Sequence, residues 1–82
     1  MKKAEKSLII ARVQKAEASW AAAEYLAKHA DQTGSERAEK CKRGAQAAWT
    51  EYMALKSLAS DLGVDVPSSA DAATWWRLSN TL

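Results

Sequence analysis

Cys41 and His29 are the single cysteine and the single histidine of this 82-residue chain. A thiolate is a nucleophile and an imidazole is the base that commonly activates it, so this pair is the first candidate for catalysis. The apolar pattern places Cys41 on the seam of a second helix, whereas His29 lies off the seam of a first helix. The two side chains therefore point to different faces, and we expect Cys41 to act as a small buried hydrophobic residue.

The acidic side chains offer no second route to catalysis. They alternate with basic residues along the predicted outer helix faces, as is typical of solvated helices, and form no carboxylate pair in a cleft. The sequence has neither a zinc-binding spacing of cysteine and histidine nor a glycine-rich phosphate loop. We predict that the protein is not an enzyme and holds no metal or cofactor.

The adjacent residues Trp75 and Trp76 are the most informative feature for function. Neighbouring residues on a helix point about 100° apart, so a small core cannot easily bury both indole rings. One interpretation is that Trp75 packs back on the helical hairpin while Trp76 stays half covered. The expected neighbours of Trp75 are then Ile10, Trp49 and Met53. The other interpretation is that the rings anchor a partner, because Trp is enriched at interface hot spots. The predicted partner-binding residues are Trp49, Met53, Trp75 and Trp76.

A cluster of basic residues follows the predicted loop, namely Arg37, Lys40, Lys42 and Arg43. Glu36 and Glu39 interrupt this cluster, so a solvated helix face is the first interpretation. The alternatives are a contact with nucleic acid and a contact with an acidic patch on a protein partner. A nucleic-acid site is expected to interleave aromatic residues with the basic ones, and the loop end has none.

Two unbroken seams of apolar or small residues position these groups. Such residues recur at alternating intervals of three and four, which predicts an all-α fold with two long helices packed as an antiparallel hairpin. The first seam is Ile9, Val13, Ala16, Trp20, Ala23, Ala27 and Ala30. The second seam is Ala38, Cys41, Ala45, Ala48, Tyr52, Leu55, Ala59 and Leu62.

Glycine, proline and serine set the predicted element boundaries. We predict a single helical domain over 1–82, with helix one at about 2–31, helix two at about 35–62, a connector at 63–69 and a short third helix at about 70–80. Gly34 and Gly63 are the expected left-handed stops of the long helices. Ser35 is the preferred N-cap of the second helix, and a capping box from Thr33 to Glu36 is the alternative. The predicted apolar face of the third helix is Ala72, Trp75, Leu78 and Leu82.

Pairing the two seams across the short loop predicts the register of the hairpin. Seam residues whose numbers sum to 68 then face each other, so that each large ring meets a small residue, as in close-packed layers. The predicted pairs include Trp20 with Ala48, Ala16 with Tyr52 and, beside the seam, Leu26 with Gly44.

The composition limits the size of the core. Eighteen residues are Ala and none is Phe, so helix propensity is high but buried area is small. Apolar residues that flank the seams, among them Trp49, Met53, Ile10 and Leu58, give the hairpin more apolar surface than two helices can hide. We expect this excess to meet the third helix or a second chain, in the latter case by dimerisation into a four-helix bundle.

Charge and hydropathy indicate the class of partner and the cellular compartment to expect. The net charge is +2, from 12 basic and 10 acidic residues, which is too balanced for a typical nucleic-acid-binding surface. The apolar run at 8–11 is shorter than the core of a signal peptide, and no stretch approaches the roughly 20 apolar residues of a membrane span. A single cysteine forms no internal disulfide. We predict a cytoplasmic protein.

These features favour a non-enzymatic protein–protein interaction module, acting as a small adaptor, inhibitor or antiactivator that also forms a homodimer. Short chains of this composition are common among phage, plasmid and bacterial accessory regulators. In layout the hairpin resembles the plasmid RNA-regulating four-helix bundle proteins, although no stretch matches their sequences. That resemblance implies a nucleic-acid-binding helical dimer as one alternative, and a purely structural homo-oligomer is the other.

Overall fold

Three α-helices make up the computed structural model, which describes residues 2–82. They are α1 over Lys3–Gln32, α2 over Ala38–Asp61 and α3 over Ala70–Asn80, and residues 2–82 contain no strand. The ion pairs Arg12–Glu51 and Asp31–Lys42 show that α1 and α2 run antiparallel. The predicted all-α fold, with two long helices and a short C-terminal helix, is confirmed.

The predicted seams form the contact between α1 and α2. The buried seam residues are Val13, Ala16, Ala27 and Ala30 on α1, with Ala45, Tyr52 and Ala59 on α2. The other seam residues are partly buried, except Leu62, which is exposed. The prediction is wrong at Leu62 because this residue is the C-cap of α2, so its side chain has left the stripe that faces α1.

One ring pair departs from the predicted packing. The indole of Trp20 stacks on the ring of Tyr52, with 5.2 Å between centroids and 17° between planes, so Trp20 is not paired with Ala48 alone. Long side chains on a helix lean toward its N-terminus. In an antiparallel pair, two such rings lean toward each other. The prediction that each large ring meets a small residue is therefore wrong here, although Ala16 and Tyr52 do share one core cluster.

Gly34 and Gly63 end the two long helices in the left-handed conformation, as predicted, with φ angles of 67° and 72°. The N–H of Gly63 donates to the carbonyl of Ser60 over 3.0 Å. The N–H of Val64 donates to the carbonyl of Ala59 over 2.9 Å. These two bonds are the Schellman pattern. They turn Val64 back into the core, where its side chain is buried.

The second helix begins at Ala38 and not at Ser35 as predicted. The Ser35 hydroxyl accepts a hydrogen bond from the Arg37 N–H, and the Ser35 carbonyl accepts one from the Ala38 N–H. Ser35 thus caps a separate turn that precedes the helix. The alternative capping box is not formed, because the Thr33 hydroxyl donates back to carbonyls of α1.

The connector between α2 and α3 is bonded to the first half of α1. The Gln14 side chain donates to the Pro67 carbonyl over 3.0 Å, and the Glu17 carboxylate accepts the Ser69 N–H over 3.2 Å. The Ser69 hydroxyl accepts the N–H of Ala72, which makes Ser69 the N-cap of α3. These bonds place the start of α3 beside α1, so that α3 runs parallel to α1.

The third helix packs on α1 alone, since no Cα atom of α3 lies within 8 Å of one in α2. Ala72 and Ser79 are its buried residues, while Trp75 and Trp76 are half-buried. The predicted apolar face is wrong at its last two members, Leu78 and Leu82, whose side chains are exposed. The face shifts because Trp76 finds an aromatic neighbour on the hairpin and turns Leu78 away from it.

Alanine substitutions at Gly63 and Gly44 are expected to change stability in opposite directions. A Cβ atom meets nothing within 4 Å at either position, so only the backbone conformation distinguishes them. Gly63→Ala should lower the free energy of unfolding by about 1 kcal/mol, because a left-handed backbone disfavours L-residues. Gly44→Ala should raise it by about 1 kcal/mol, because Gly44 lies in regular helix. Urea denaturation of dilute protein, followed by circular dichroism, measures both, and equal signs would contradict the expectation.

Candidate interaction surfaces

Three aromatic rings form the junction between the helices. Trp20 of α1 stacks on Tyr52 of α2, and the ring of Trp76 of α3 meets the Trp20 ring edge-on, with 4.8 Å between centroids and 76° between planes. The Trp20 Nε1–H donates to Glu24 Oε1 over 3.2 Å, so its polar atom has a partner. Trp20 therefore links α2 to α3.

Trp75 contacts α1 at a different place from the one predicted. Its ring lies against Tyr25, with 5.4 Å between centroids, and the open surface beside it is lined by α1 and α3 residues without any from α2. The predicted location near Ile10, Trp49 and Met53 is wrong. The physical reason is that polar side chains of α1 hold the C-terminal segment along α1, away from α2.

Four polar side chains of α1 form this clamp, and each bonds to the main chain of the C-terminal segment. Besides Gln14 and Glu17, the Lys28 ammonium donates to the Ser79 carbonyl over 2.7 Å. The Gln32 side chain donates to the Leu82 carbonyl over 2.8 Å. Lys28 also places a cation at the C-terminal end of α3, where the helix dipole favours it. Sequence reasoning missed the clamp because these residues resemble a solvated face, although their spacing puts them on one side of α1.

Trp49 and Met53 are 40% and 38% exposed. Lys42, two turns before Trp49 on the same edge of α2, lines a groove of about 380 Å³ together with Trp76 and Ser79 of α3. We call the space between this edge of α2 and α3, with α1 as its floor, the α2–α3 groove. The chain covers more than half of Trp49 and of Met53, and the rest of each residue faces solvent.

The structure thus brings three of the four predicted partner-binding residues to one side of the molecule. Trp76 lines the groove, and Trp49 and Met53 follow Lys42 along the same edge of α2, whereas Trp75 lies against Tyr25 on the far side of α3. Trp76 is half-buried against Trp20, so the two α2 side chains are the more accessible ones. Their role in partner binding stays a prediction.

The predicted basic cluster lies in the turn before α2 and in its first two turns. Its members Arg37, Lys40 and Arg43 are exposed and form no ion pair within residues 2–82. Lys42 is paired, with its Nζ 3.0 Å from Asp31 Oδ1 and 3.8 Å from Glu39 Oε1.

The pairing of Lys42 has a defined pH dependence. The hydrogen bond that the Lys42 ammonium donates to Asp31, together with the negative charges of Asp31 and Glu39, raises the pKa of Lys42 above its ordinary value of 10.5. Because the pKa of Lys42 is higher in the folded state than in the unfolded state, the pair contributes fully to stability below the unfolded-state value of 10.5. The contribution is lost as the pH rises through the folded pKa. The pair is therefore intact at neutral pH.

Cys41 and His29 are not brought together. Cys41 is a partly buried free thiol on the seam of α2. His29 is exposed on α1, where its ring stacks on Tyr25 with 6.2 Å between centroids. No hydrogen bond joins the two, and no group of three or more His, Cys, Asp or Glu side chains in the described chain is arranged to hold a metal ion.

None of the described helices combines the length and the apolar character that crossing a membrane requires. Comparison with known proteins found no matching family model, no similar curated protein and no similar solved structure. Function must therefore be inferred from the geometry of the chain itself.

Proposed function

We propose that this protein is a non-enzymatic interaction module whose α2–α3 groove binds one amphipathic helix of a protein partner. The observation that carries the proposal is that Trp49 and Met53 remain partly open to solvent on the same edge of α2 as Lys42, which lines the groove. Large apolar side chains next to a concave surface are typical of protein-binding sites. A helix laid in the groove contacts both α2 and α3 and completes a four-helix arrangement around the Trp20 junction.

The groove-facing edge of α2 has the spacing of a helix-packing stripe. Its residues recur at intervals of four and three, and they are Lys42, Gln46, Trp49, Met53 and Lys56. This is the periodicity with which one helix packs on another. Because α3 packs only on α1, the middle of this stripe at Trp49 and Met53 stays partly open, whereas Lys42 is paired and Lys56 lies beside the connector at 63–66.

The charges on the same edge favour an acidic partner. Lys56 lies over the Tyr52 ring, 5.7 Å from its centroid, and has no ion-pair partner within residues 2–82. Lys42 lies on the other side of the apolar pair, about 21 Å away along the helix axis, and is already paired with Asp31 and Glu39. A partner helix with a central apolar stripe and an acidic residue at the end that meets Lys56 matches this pattern. A second copy of α2 does not match it, because like charges then meet.

Binding of this kind suits an adaptor, inhibitor or antiactivator, because it occupies one helix of the partner and withholds it from other contacts. We further infer a cytoplasmic setting, since a single cysteine gives no internal disulfide. The regulatory role proposed is that of a short bacterial or phage accessory protein.

Replacement of both Trp49 and Met53 by alanine is expected to reduce partner capture by at least about tenfold. Truncating an aromatic anchor at an interface commonly costs about 2 kcal/mol or more, which is more than tenfold in affinity. Both side chains are exposed, so helicity should be unchanged. The measurement is quantitative capture from an extract of the native host on immobilised protein, with the bound proteins identified and circular dichroism recorded for each variant.

The matched control replaces Leu8 and Leu58 by alanine, which removes two exposed apolar side chains from the other side of the hairpin. This control variant should capture as much partner as the wild type does. If the variant with alanine at both Trp49 and Met53 captures as much partner as the wild type, the groove is not the binding site. Capture that nuclease treatment or moderate salt abolishes would favour the nucleic-acid alternative, for which Arg37, Lys40 and Arg43 are the candidate contacts.

A further inference from the structure

The side of the hairpin away from α3 carries a second apolar surface. An apolar groove of about 200 Å³ is lined by Leu8 of α1, by Leu55 and Leu58 of α2, and by Leu62 at the C-cap of α2. Leu8 and Leu58 are 72% and 55% exposed, and α3 covers none of them. We call this side of α1 and α2 the leucine face. It is distinct from the α2–α3 groove and is not used by the proposed function.

A charged patch lies at the centre of the leucine face. Arg12 Nη2 and Glu51 Oε1 are 3.8 Å apart, and both side chains are mostly exposed. Together with Lys15 they surround a hollow of about 70 Å³, whose other lining residues are the small ones Ala16, Ser19 and Ala48. The basic groups stand on α1 and the acidic group stands on α2. This separation of signs is self-complementary if α1 of one copy faces α2 of another.

Leu26 and Gly44 lie on the same face, near the loop. Leu26 is 56% exposed. A Cβ atom at Gly44 meets nothing within 4 Å, so the predicted packing of Leu26 on Gly44 within one chain does not occur. A glycine inside a helix costs about 1 kcal/mol relative to alanine. No residue of 2–82 occupies the space that Gly44 leaves open.

We propose that two copies of this chain pair through their leucine faces, about a two-fold axis parallel to the hairpin. The α1 helix of each copy then lies antiparallel along α2 of the other. Arg12 and Lys15 of one copy meet Glu51 of the second copy, and the reverse contact forms at the symmetric position. Both charge signs of the patch are thereby matched across the interface.

The same axis places the apolar side chains in register. Near the free end of the hairpin, Leu8 of one copy packs between Leu58 and Leu62 of the other. Near the loop, Leu26 of one copy enters the space above Gly44 of the other copy. Each of these leucines thus contacts leucines or Gly44 of the other copy. The glycine in the middle of α2 is explained by the space it provides for Leu26 of the other copy.

The overlap is large enough for a specific dimer. Two helices side by side are about 20 Å wide, and an overlap of 24 residues is about 36 Å long. The contact then covers about 700 Å² on each copy, close to the roughly 800 Å² per partner of a standard interface. The product is a four-helix bundle of two hairpins, with both α2–α3 grooves on its outside.

Sedimentation velocity from low to high micromolar concentration tests the pairing. The wild-type chain should convert from monomer to dimer over this range. Leu58→Glu should raise the dissociation constant by at least about a hundredfold, because it buries a carboxylate among leucines. Met53→Glu is the matched control, since it puts the same charge on the groove side of α2, and it should dimerise like the wild type.

Charge reversal then tests the register. Arg12→Glu alone and Glu51→Arg alone should each raise the dissociation constant by about tenfold or more, because like charges meet twice in each homodimer. An equimolar mixture of the two variants should restore dimerisation as a heterodimer, since acidic groups of one chain then meet basic groups of the other. An ion pair acting only within one chain gives no such rescue by mixing.

A wild-type chain that stays monomeric at high micromolar concentration would overturn the inference. So would a Leu58→Glu variant that dimerises normally, a loss of dimer in Met53→Glu, or charge-reversal variants that fail to rescue each other. None of these outcomes depends on the partner helix, so the dimer and the proposed function succeed or fail separately.

Discussion

Replacement of Trp20 by alanine is expected to lower the free energy of unfolding by about 3 kcal/mol. The indole ring joins α2 and α3, since it stacks on Tyr52 and meets the ring of Trp76 edge-on. The loss is a large share of the roughly 4–12 kcal/mol expected for a chain of this length. Urea denaturation of dilute protein, followed by circular dichroism, measures the effect.

Trp49→Ala is the matched control for this prediction. It removes the same side chain from α2, one turn before Tyr52, but from an exposed position. The expected loss is smaller than that for Trp20→Ala, because 40% of Trp49 is exposed and its ring takes no part in the contacts among Trp20, Tyr52 and Trp76. Equal losses for the two variants would show that Trp49 is as well packed as Trp20, and would count against both the aromatic junction and the open groove.

Ala72→Leu is expected to detach α3 from the hairpin. Ala72 is completely buried, so three added carbon atoms must push the two helices apart, at a cost of about 1–3 kcal/mol. A helix of 11 residues is too short to persist alone in water. We therefore expect α3 to unfold while α1 and α2 remain helical. Circular dichroism should lose the contribution of α3, and the emission of Trp75 and Trp76 should shift to the red.

Ala73→Leu is the control, because it adds the same side chain to the next residue, which is exposed. That variant should keep the spectrum of the wild type. An unchanged spectrum for Ala72→Leu would contradict the tight contact between α1 and α3. A complete loss of helicity would instead show that the hairpin cannot fold without α3.

The two proposed surfaces lie on different sides of the hairpin, and this arrangement has a consequence for binding. A dimer formed through the leucine face leaves the Trp49 and Met53 edge of each copy open. Each dimer then presents two grooves of the same kind. The binding of two partner helices per dimer is expected, with the affinity of each groove independent of the Leu58→Glu substitution.

The helical seams and their ends were predictable from the sequence for local reasons. An interval of three or four residues places side chains on one helical stripe whatever the rest of the chain does. The helix ends at Gly34 and Gly63 were predictable because the left-handed residue that follows a helix is most often glycine. The start of α2 was not predictable from the sequence, because the hydrogen bonds of Ser35 are compatible with a separate turn as well as with a helix cap.

The placement of α3 was not predictable in this way. Its position depends on Gln14, Glu17, Lys28 and Gln32, which bond to main-chain atoms more than 45 residues away along the sequence. Polar side chains that bind distant main-chain groups look like any solvated side chain in a sequence. The rotation of α3, and with it the different surroundings of Trp75 and Trp76, follows from those bonds.

The sequence by itself determined the helices, the antiparallel hairpin and most of its buried seam, because periodicity and glycine act within one or two turns of chain. Only the tertiary structure decided which apolar residues stay uncovered, because that depends on where α3 packs. By lying along α1 and leaving α2 free, α3 opens the groove beside Trp49 and leaves the leucine face bare.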